Sequence, residues 1–139
     1  MKKFWQVVSK KDLIFGLIIL ALTIVISLKP SNKVRVQFEE AGVDIVTTKY
    51  SMNIPYDMVA SIALVEKPEL GEQIDGYNDN IVAYGIWKND TWGEYTACIE
   101  IATDNCITID LTDGRLFVIS RRDNEETASV FEEFQSHIQ

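Results

Sequence analysis

Histidine occurs once, at residue 137, and cysteine only twice, at 98 and 106. His137 has no cysteine or carboxylate motif at ligand spacing, and it reads as a surface residue near a helix end. The cysteines are not in CxxC spacing. No glycine-rich phosphate loop, HExxH, GxSxG or nucleophile–base pair is present. A serine nucleophile needs a histidine or lysine in reach, and the single histidine is badly placed for that. These absences argue against an enzyme, so no catalytic residue, cofactor or metal centre is assigned. Repeats and low-complexity tracts are also lacking. Positive charge is scarce beyond the N-terminus: residues 31–139 carry eight Lys or Arg against twenty Asp or Glu, a net charge of −12. Such a domain repels phosphate backbones and anionic headgroups, which argues against nucleic acid and anionic lipid as its partners.

What is present begins with Leu13–Leu28, sixteen positions without a charge in which only Thr23 and Ser27 are polar. Lys10 and Lys11 precede the run and Lys29 follows it. As a helix it is ~24 Å long, near the lower limit for a bilayer core of ~30 Å, and its flanking lysines can snorkel. The run reads as one transmembrane helix in an N-terminal segment, residues 1–30, that tethers a domain of residues 31–139. Phe4 and Trp5 suit an interfacial anchor, or are ordinary residues of an N-terminal helix. A cleaved signal peptide is disfavoured because Ile26–Lys33 has no small-x-small site, and no cysteine follows to take a lipid. Lys2, Lys3, Lys10 and Lys11 outweigh Lys29, Lys33 and Arg35 by one, which favours N-inside and a domain outside the cytoplasm. Pro30-Ser31-Asn32 is a short linker.

From Val34 onward the apolar period is mostly two. Val34–Phe38 is a strand or the end of the tether. Val43–Thr47 and Tyr50–Ile54 suggest a hairpin, ended by Pro55. Val59–Val65 reads as a half-buried strand, and Glu66–Asn80, with Pro68, Gly71 and Gly76, as a long loop. Ile81–Trp87, Tyr95–Ala102, Cys106–Leu111 and Arg115–Ser120 are further strands, with turns at Thr103–Asn105 and at Asp113-Gly114. The domain counts seven strands. At the end the period changes: Asp123 or Asn124 caps a helix whose Thr127, Val130, Phe131, Phe134 and Ile138 share one face.

Gly42–Ile45, Tyr50 with Ile54–Asp57, Val59–Leu64, Gly76-Tyr77, Tyr84–Trp87, Trp92–Tyr95, Asp113-Gly114 and Glu126-Thr127 before Phe131 follow one another in order. That order resembles a bacterial pleckstrin-homology-like (PH-like) family of small membrane proteins, over roughly residues 38–138. The resemblance implies a mainly β fold, a seven-stranded bent antiparallel sandwich or barrel capped by a C-terminal amphipathic helix. It also implies a membrane link and no established catalysis.

Trp92, in a polar stretch beside Gly93, is the best candidate for an exposed ring that anchors a partner, with Tyr77 and Trp87 nearby. Tyr84 and Tyr95 read as core. Alternation puts Tyr84 and Ile86 on one face and Trp87 on the other. Asp75, Asn78, Asp79 and Asn80 crowd the long loop. Asp75 and Asp79 are weak calcium candidates there, but the spacing is not that of an EF-hand and a solvated loop is the plainer reading. In the hairpin drawn for Tyr95–Ala102 and Cys106–Leu111, Cys98 lies near Leu111 and Cys106 in the turn, so free thiols are expected. Asn89-Asp90-Thr91 fits a glycosylation pattern that also arises by chance. The leading expectation is a single-pass membrane protein displaying a PH-like binding or scaffolding module for a protein or peptide. The alternatives are an extracytoplasmic small-ligand or calcium sensor, and a membrane immunity or stress protein. Only Lys49 is offered where PH-like folds often gather phosphate-binding cations, which disfavours headgroup binding.

Overall fold

The structure is a computed structural model that describes residues 9–28 and 34–139, with the side chains of the first helix described to residue 21. Phe4, Trp5, the flanking Lys2, Lys3, Lys29 and Lys33, and the Pro30–Asn32 linker lie outside the described residues. The chain divides into two compact units, Met1–Ser31 and Asn32–Gln139.

The first unit holds helix α1 (Lys10–Leu28). Ser9 and Asp12 start it reciprocally. The Asp12 amide donates to Ser9 Oγ at 3.2 Å, and the Ser9 hydroxyl and amide donate to Asp12 Oδ2 at 2.8 and 3.2 Å. Leu13, Ile14, Phe15, Leu17, Ile18 and Leu20 are each more than half exposed. They fall on every side of the helix, so between Leu13 and Leu20 it has no polar face to turn to water. Its first turn is charged, Lys10 to Asp12. Among the described residues no helix is long and apolar enough to cross a membrane.

The second unit is mainly β. Strands β1 (Arg35–Phe38), β2 (Gly42–Val46) and β3 (Ser51–Pro55) form an antiparallel sheet in that order. A short 3-10 turn, Tyr56–Met58, leads to β4 (Val59–Glu66), β5 (Glu72–Asn78), β6 (Val82–Asn89), β7 (Gly93–Glu100), β8 (Asn105–Leu111) and β9 (Leu116–Ile119). These six make a second sheet in the order β4-β8-β9-β7-β6-β5, and helix α2 (Asn124–Ile138) closes the chain. Val43, Ile45 and Ile54 of the first sheet meet Tyr84, Ile107, Ile109 and Ile119 of the second in one buried core, which Phe134 of α2 completes. The other face of the second sheet carries a smaller cluster, with Trp87, Tyr95, Ile99 and Val118 buried in it.

The closing helix follows its sequence pattern. Asp123 Oδ1 accepts the Glu126 amide at 2.8 Å, Thr127 and Phe134 are buried, and Glu132 and Glu133 face outward. Three expectations are corrected. Among the described residues there are nine strands, not seven. The expected long loop over residues 66–80 holds β5, paired with β6 from Glu72↔Lys88 to Asn78↔Ala83. And β7 and β8 are not a hairpin: β9 lies between them, parallel to β7 and antiparallel to β8. Residues 103–105 are held elsewhere. The Lys67 amide donates to Asp104 O at 2.7 Å, and Asn124 Oδ1 accepts the Asp104 and Asn105 amides at 3.0 and 3.2 Å. The edge of β7 that a hairpin would have used is taken by Ser120, whose amide donates to Cys98 O at 3.1 Å.

Candidate functional site

The three-stranded sheet covers only part of the inner face of the six-stranded one. Register places Phe117, Thr96, Ile86 and Asp75 side by side across β9, β7, β6 and β5. This row, with Ala97 and Arg115, floors an open groove of about 380 Å³ whose wall is Tyr50, Met52 and Asn53. The site therefore has an apolar floor, a carboxylate at the β5 end and a guanidinium at the β9 end. Arg115 Nε is 2.8 Å from Asp113 Oδ2, so its charge is already partnered. At the back of the groove is Cys98, whose thiol burial pushes up to about 12, so it stays protonated at neutral pH.

An aromatic cluster braces one end of this wall. Tyr77 stacks on Tyr84 with centroids 5.2 Å apart, and Tyr50 meets Tyr84 edge-on at 5.3 Å. Lys49 Nζ lies 4.2 Å over the Tyr77 ring, and Thr48 Oγ1 is 3.1 Å from the Tyr84 hydroxyl. The Lys49 cation thus already sits on a π face, a poor arrangement for gathering phosphate.

The candidates from sequence are scattered. Tyr77 is half-buried in the aromatic cluster. Trp92, expected as an exposed ring, is half-buried: it packs on the outer-face cluster and meets Tyr95 edge-on at 5.0 Å. The Trp92 amide donates to Asn89 Oδ1 at 2.7 Å, which folds the β6–β7 turn inward and lays the ring on the sheet. Trp87 is 3 % exposed, so its ring is not offered to a surface partner, and its indole N–H has no acceptor among the described groups. Tyr84 and Tyr95 are core, and Tyr84 and Trp87 do lie on opposite faces.

Asp75 and Asp79 do not converge. Asp75 pairs with Ile86 inside β5, while Asp79 forms the β5–β6 turn. Asp79 Oδ1 accepts the Ile81 and Val82 amides, both at 2.9 Å, and Oδ2 accepts the Tyr77 hydroxyl at 3.3 Å. Those amides, Val82 first, hold its carboxyl below the usual range, and its charge in turn pushes the Tyr77 hydroxyl up. Among the described residues no three His, Cys, Asp or Glu side chains gather to hold a metal ion. The cysteines are free and buried, and Cys106 lies within β8 opposite Val65 rather than in a turn. Asn89 of the glycosylation pattern is committed, its amide group donating to Glu69 O at 2.9 Å. His137 is surface-exposed, as expected, but stacks on Phe38 at 5.0 Å and on Tyr56 at 5.2 Å. The Tyr56 hydroxyl is pushed up by burial and by Glu133 and Glu39.

Sequence reasoning missed Ile86, Thr96 and Phe117 as a site. Each sits in a plain alternating strand, and only cross-strand register brings them into one row. A larger depression, about 550 Å³, is lined by polar residues in and beside the β4–β5 and β6–β7 connections, with Glu69 and Asp90 from the connections and Glu72 and Lys88 from the ends of β5 and β6. It has no apolar floor. Comparisons with protein-family models, with curated proteins and with solved structures each return no match.

Proposed function

We propose that the protein is a membrane-attached, non-catalytic binding module that meets a protein or peptide through the groove beside β3. The carrying observation is the groove over the row Phe117–Thr96–Ile86–Asp75, where a buried Phe117 is followed by half-buried Thr96 and Ile86 and an exposed Asp75, an opening in an otherwise closed sandwich. Sheets normally bury such a row, and one left open with polar ends is the usual form of a recognition surface. Attachment through α1 is supported by its side chains from Leu13 to Leu20, apolar and exposed on every side, which need a non-aqueous cover. The surplus of lysines ahead of the apolar run Leu13–Leu28 favours the domain on the outer side. Two sheets around one core with a closing helix support the PH-like resemblance, while the ninth strand and the parallel β7/β9 pair depart from it.

The test uses the full chain in its own cells. A photo-reactive side chain at Ile86 is expected to cross-link a discrete partner, and one at Ser129, exposed on α2, is not. Membrane pellets washed at high pH are expected to retain the chain. A freely soluble chain overturns the attachment, and the absence of any Ile86 adduct overturns the binding role.

A further inference from the structure

The wall of the groove is a sheet edge. In the order β1-β2-β3, strand β3 has a neighbour on one side only. The Thr47 amide donates to Tyr50 O at 2.7 Å and the Tyr56 amide to Ala41 O at 3.1 Å, which fixes the parity of the ladder. With Ile45↔Met52 and Val43↔Ile54 between those bonds, Met52 and Ile54 turn their backbone groups toward β2. Ser51 and Asn53 therefore direct their N–H and C=O groups outward, along the side where Met52 and Asn53 line the groove. Pro55 has no N–H and ends this edge.

A guest strand that crosses β5, β6, β7 and β9 would match this floor. Neighbouring strands lie ~4.8 Å apart, so the row from Asp75 to Phe117 spans about 14 Å. Alternate side chains of an extended chain repeat at about 6.7 Å, so three on one face span about 13 Å. The first would stand at Asp75, the second between Ile86 and Thr96, and the third over Phe117, displacing the exposed Arg115 side chain whose guanidinium lies 5.6 Å from that ring's centroid. Charge sets the polarity: Asp75 is exposed, Arg115 is already partnered by Asp113, and the domain around them carries −12 in residues 31–139.

Resting on the binding role above, we propose that the groove captures an extended peptide of the pattern basic-x-apolar-x-apolar, added to β3 as an extra strand with its basic side chain on Asp75. The backbone of the guest pairs with Ser51 and Asn53. Its apolar side chains cover Ile86, Thr96 and Phe117, so affinity comes from main-chain bonds and selectivity from the floor.

The full chain in detergent micelles, labelled for amide NMR, tests this with acetyl-Lys-Thr-Val-Thr-Val-amide. Saturable shifts are expected at Ser51, Asn53, Ile86 and Thr96, and the peptide with Glu for Lys is expected to bind at least tenfold more weakly. Asp75→Lys should reverse that preference. N-methylating the second and fourth peptide amides, or the third and fifth, removes one row of donors without altering the protein, and only one of the two sets should weaken binding tenfold or more. Equal effects of both sets overturn strand addition, as do shifts confined to other surfaces. Shifts at Ser51 and Asn53 produced by protein concentration alone would put a second copy on β3 and also overturn it. If no peptide binds while Ile86 still cross-links a partner, this inference fails and the binding role stands; if neither occurs, both fail.

Discussion

Gly76 and Gly85 face each other across β5 and β6, with φ of +128° and +109°. A methyl group on Gly85 would come within 2.2 Å of Asp75 O, and one on Gly76 within 2.0 Å of Tyr84 O. The two backbones touch where no side chain fits, and this lets the β5 edge reach the groove and bring Asp75 there. Gly85→Ala combines a positive-φ penalty with a clash against backbone, so a loss of about 2–4 kcal/mol is expected. For a domain of this size that lowers the melting temperature by roughly 10 °C or more, read by circular dichroism. An unchanged melting temperature would show that the strands simply part. Neither glycine signals this in sequence, where Gly76 marks a loop and Gly85 interrupts a strand. Trp92 likewise misleads: its polar neighbours suggest exposure, yet the Asn89 side chain turns the loop and lays the ring on Tyr95. Trp87 could be assigned to the opposite face from Tyr84 because strand alternation survives through β6.

Among elements, α2 and the β8–β9 hairpin are the most legible, because each is coded locally. Period, cap and acidic first turn all lie within residues 123–138. Asp113-Gly114 forms its turn between strands paired from Ile107↔Ile119 to Asp110↔Leu116. Asp123→Ala removes the acceptor of the Glu126 amide and should cost about 1 kcal/mol. Asp123→Asn, which keeps an acceptor, should recover most of it, and chemical denaturation reads the difference. Equal losses in the two variants would mean that charge rather than capping is at work. β5 is hidden for a physical reason. It is an edge strand with residues 72–75 all exposed, a bulge between Gln73 and Asp75, and three acids in Glu72, Asp75 and the following Asp79. Acidic, bulged edges resist unwanted pairing, and they also erase the period of two that reveals a strand. The insertion of β9 between β7 and β8 is hidden differently: it depends on Ser120, Asn124 and Lys67 reaching residues 98–105 from distant parts of the chain. The groove inherits this opacity, since its row exists only once β9, β7, β6 and β5 are placed in order.

At the scale of the molecule, burial holds three acidic groups most strongly in protonated form. The Cys98 thiol is pushed up to about 12 and the Cys106 thiol to about 11, the latter restrained by the nearby Lys67 ammonium. The Tyr95 hydroxyl is pushed up by burial and then by Cys106, and it donates to Leu70 O at 2.6 Å. In the unfolded chain a thiol ionises near its ordinary value of 9.0. Above that pH the unfolded state releases protons that the folded state keeps, so the unfolded state binds fewer and stability falls as pH rises. The contribution is complete below about pH 9 and is lost progressively toward pH 11–12. Lys67 opposes this weakly. Burial lowers its affinity for a proton, so losing that proton relieves a cost over the same range. With Tyr56 and Tyr77 also pushed up, five groups against one decide the sign. The melting temperature should therefore fall steeply between pH 9 and 11, and less steeply in the Cys98→Ala/Cys106→Ala chain. The same burial should leave both thiols silent to a thiol-reactive disulfide reagent at pH 8 until denaturant opens the sheet. A flat profile to pH 11, or prompt labelling of the native chain, would mean that the faces holding Cys98 and Cys106 open to water. The groove could not then keep an apolar floor, because Cys98 stands at its back.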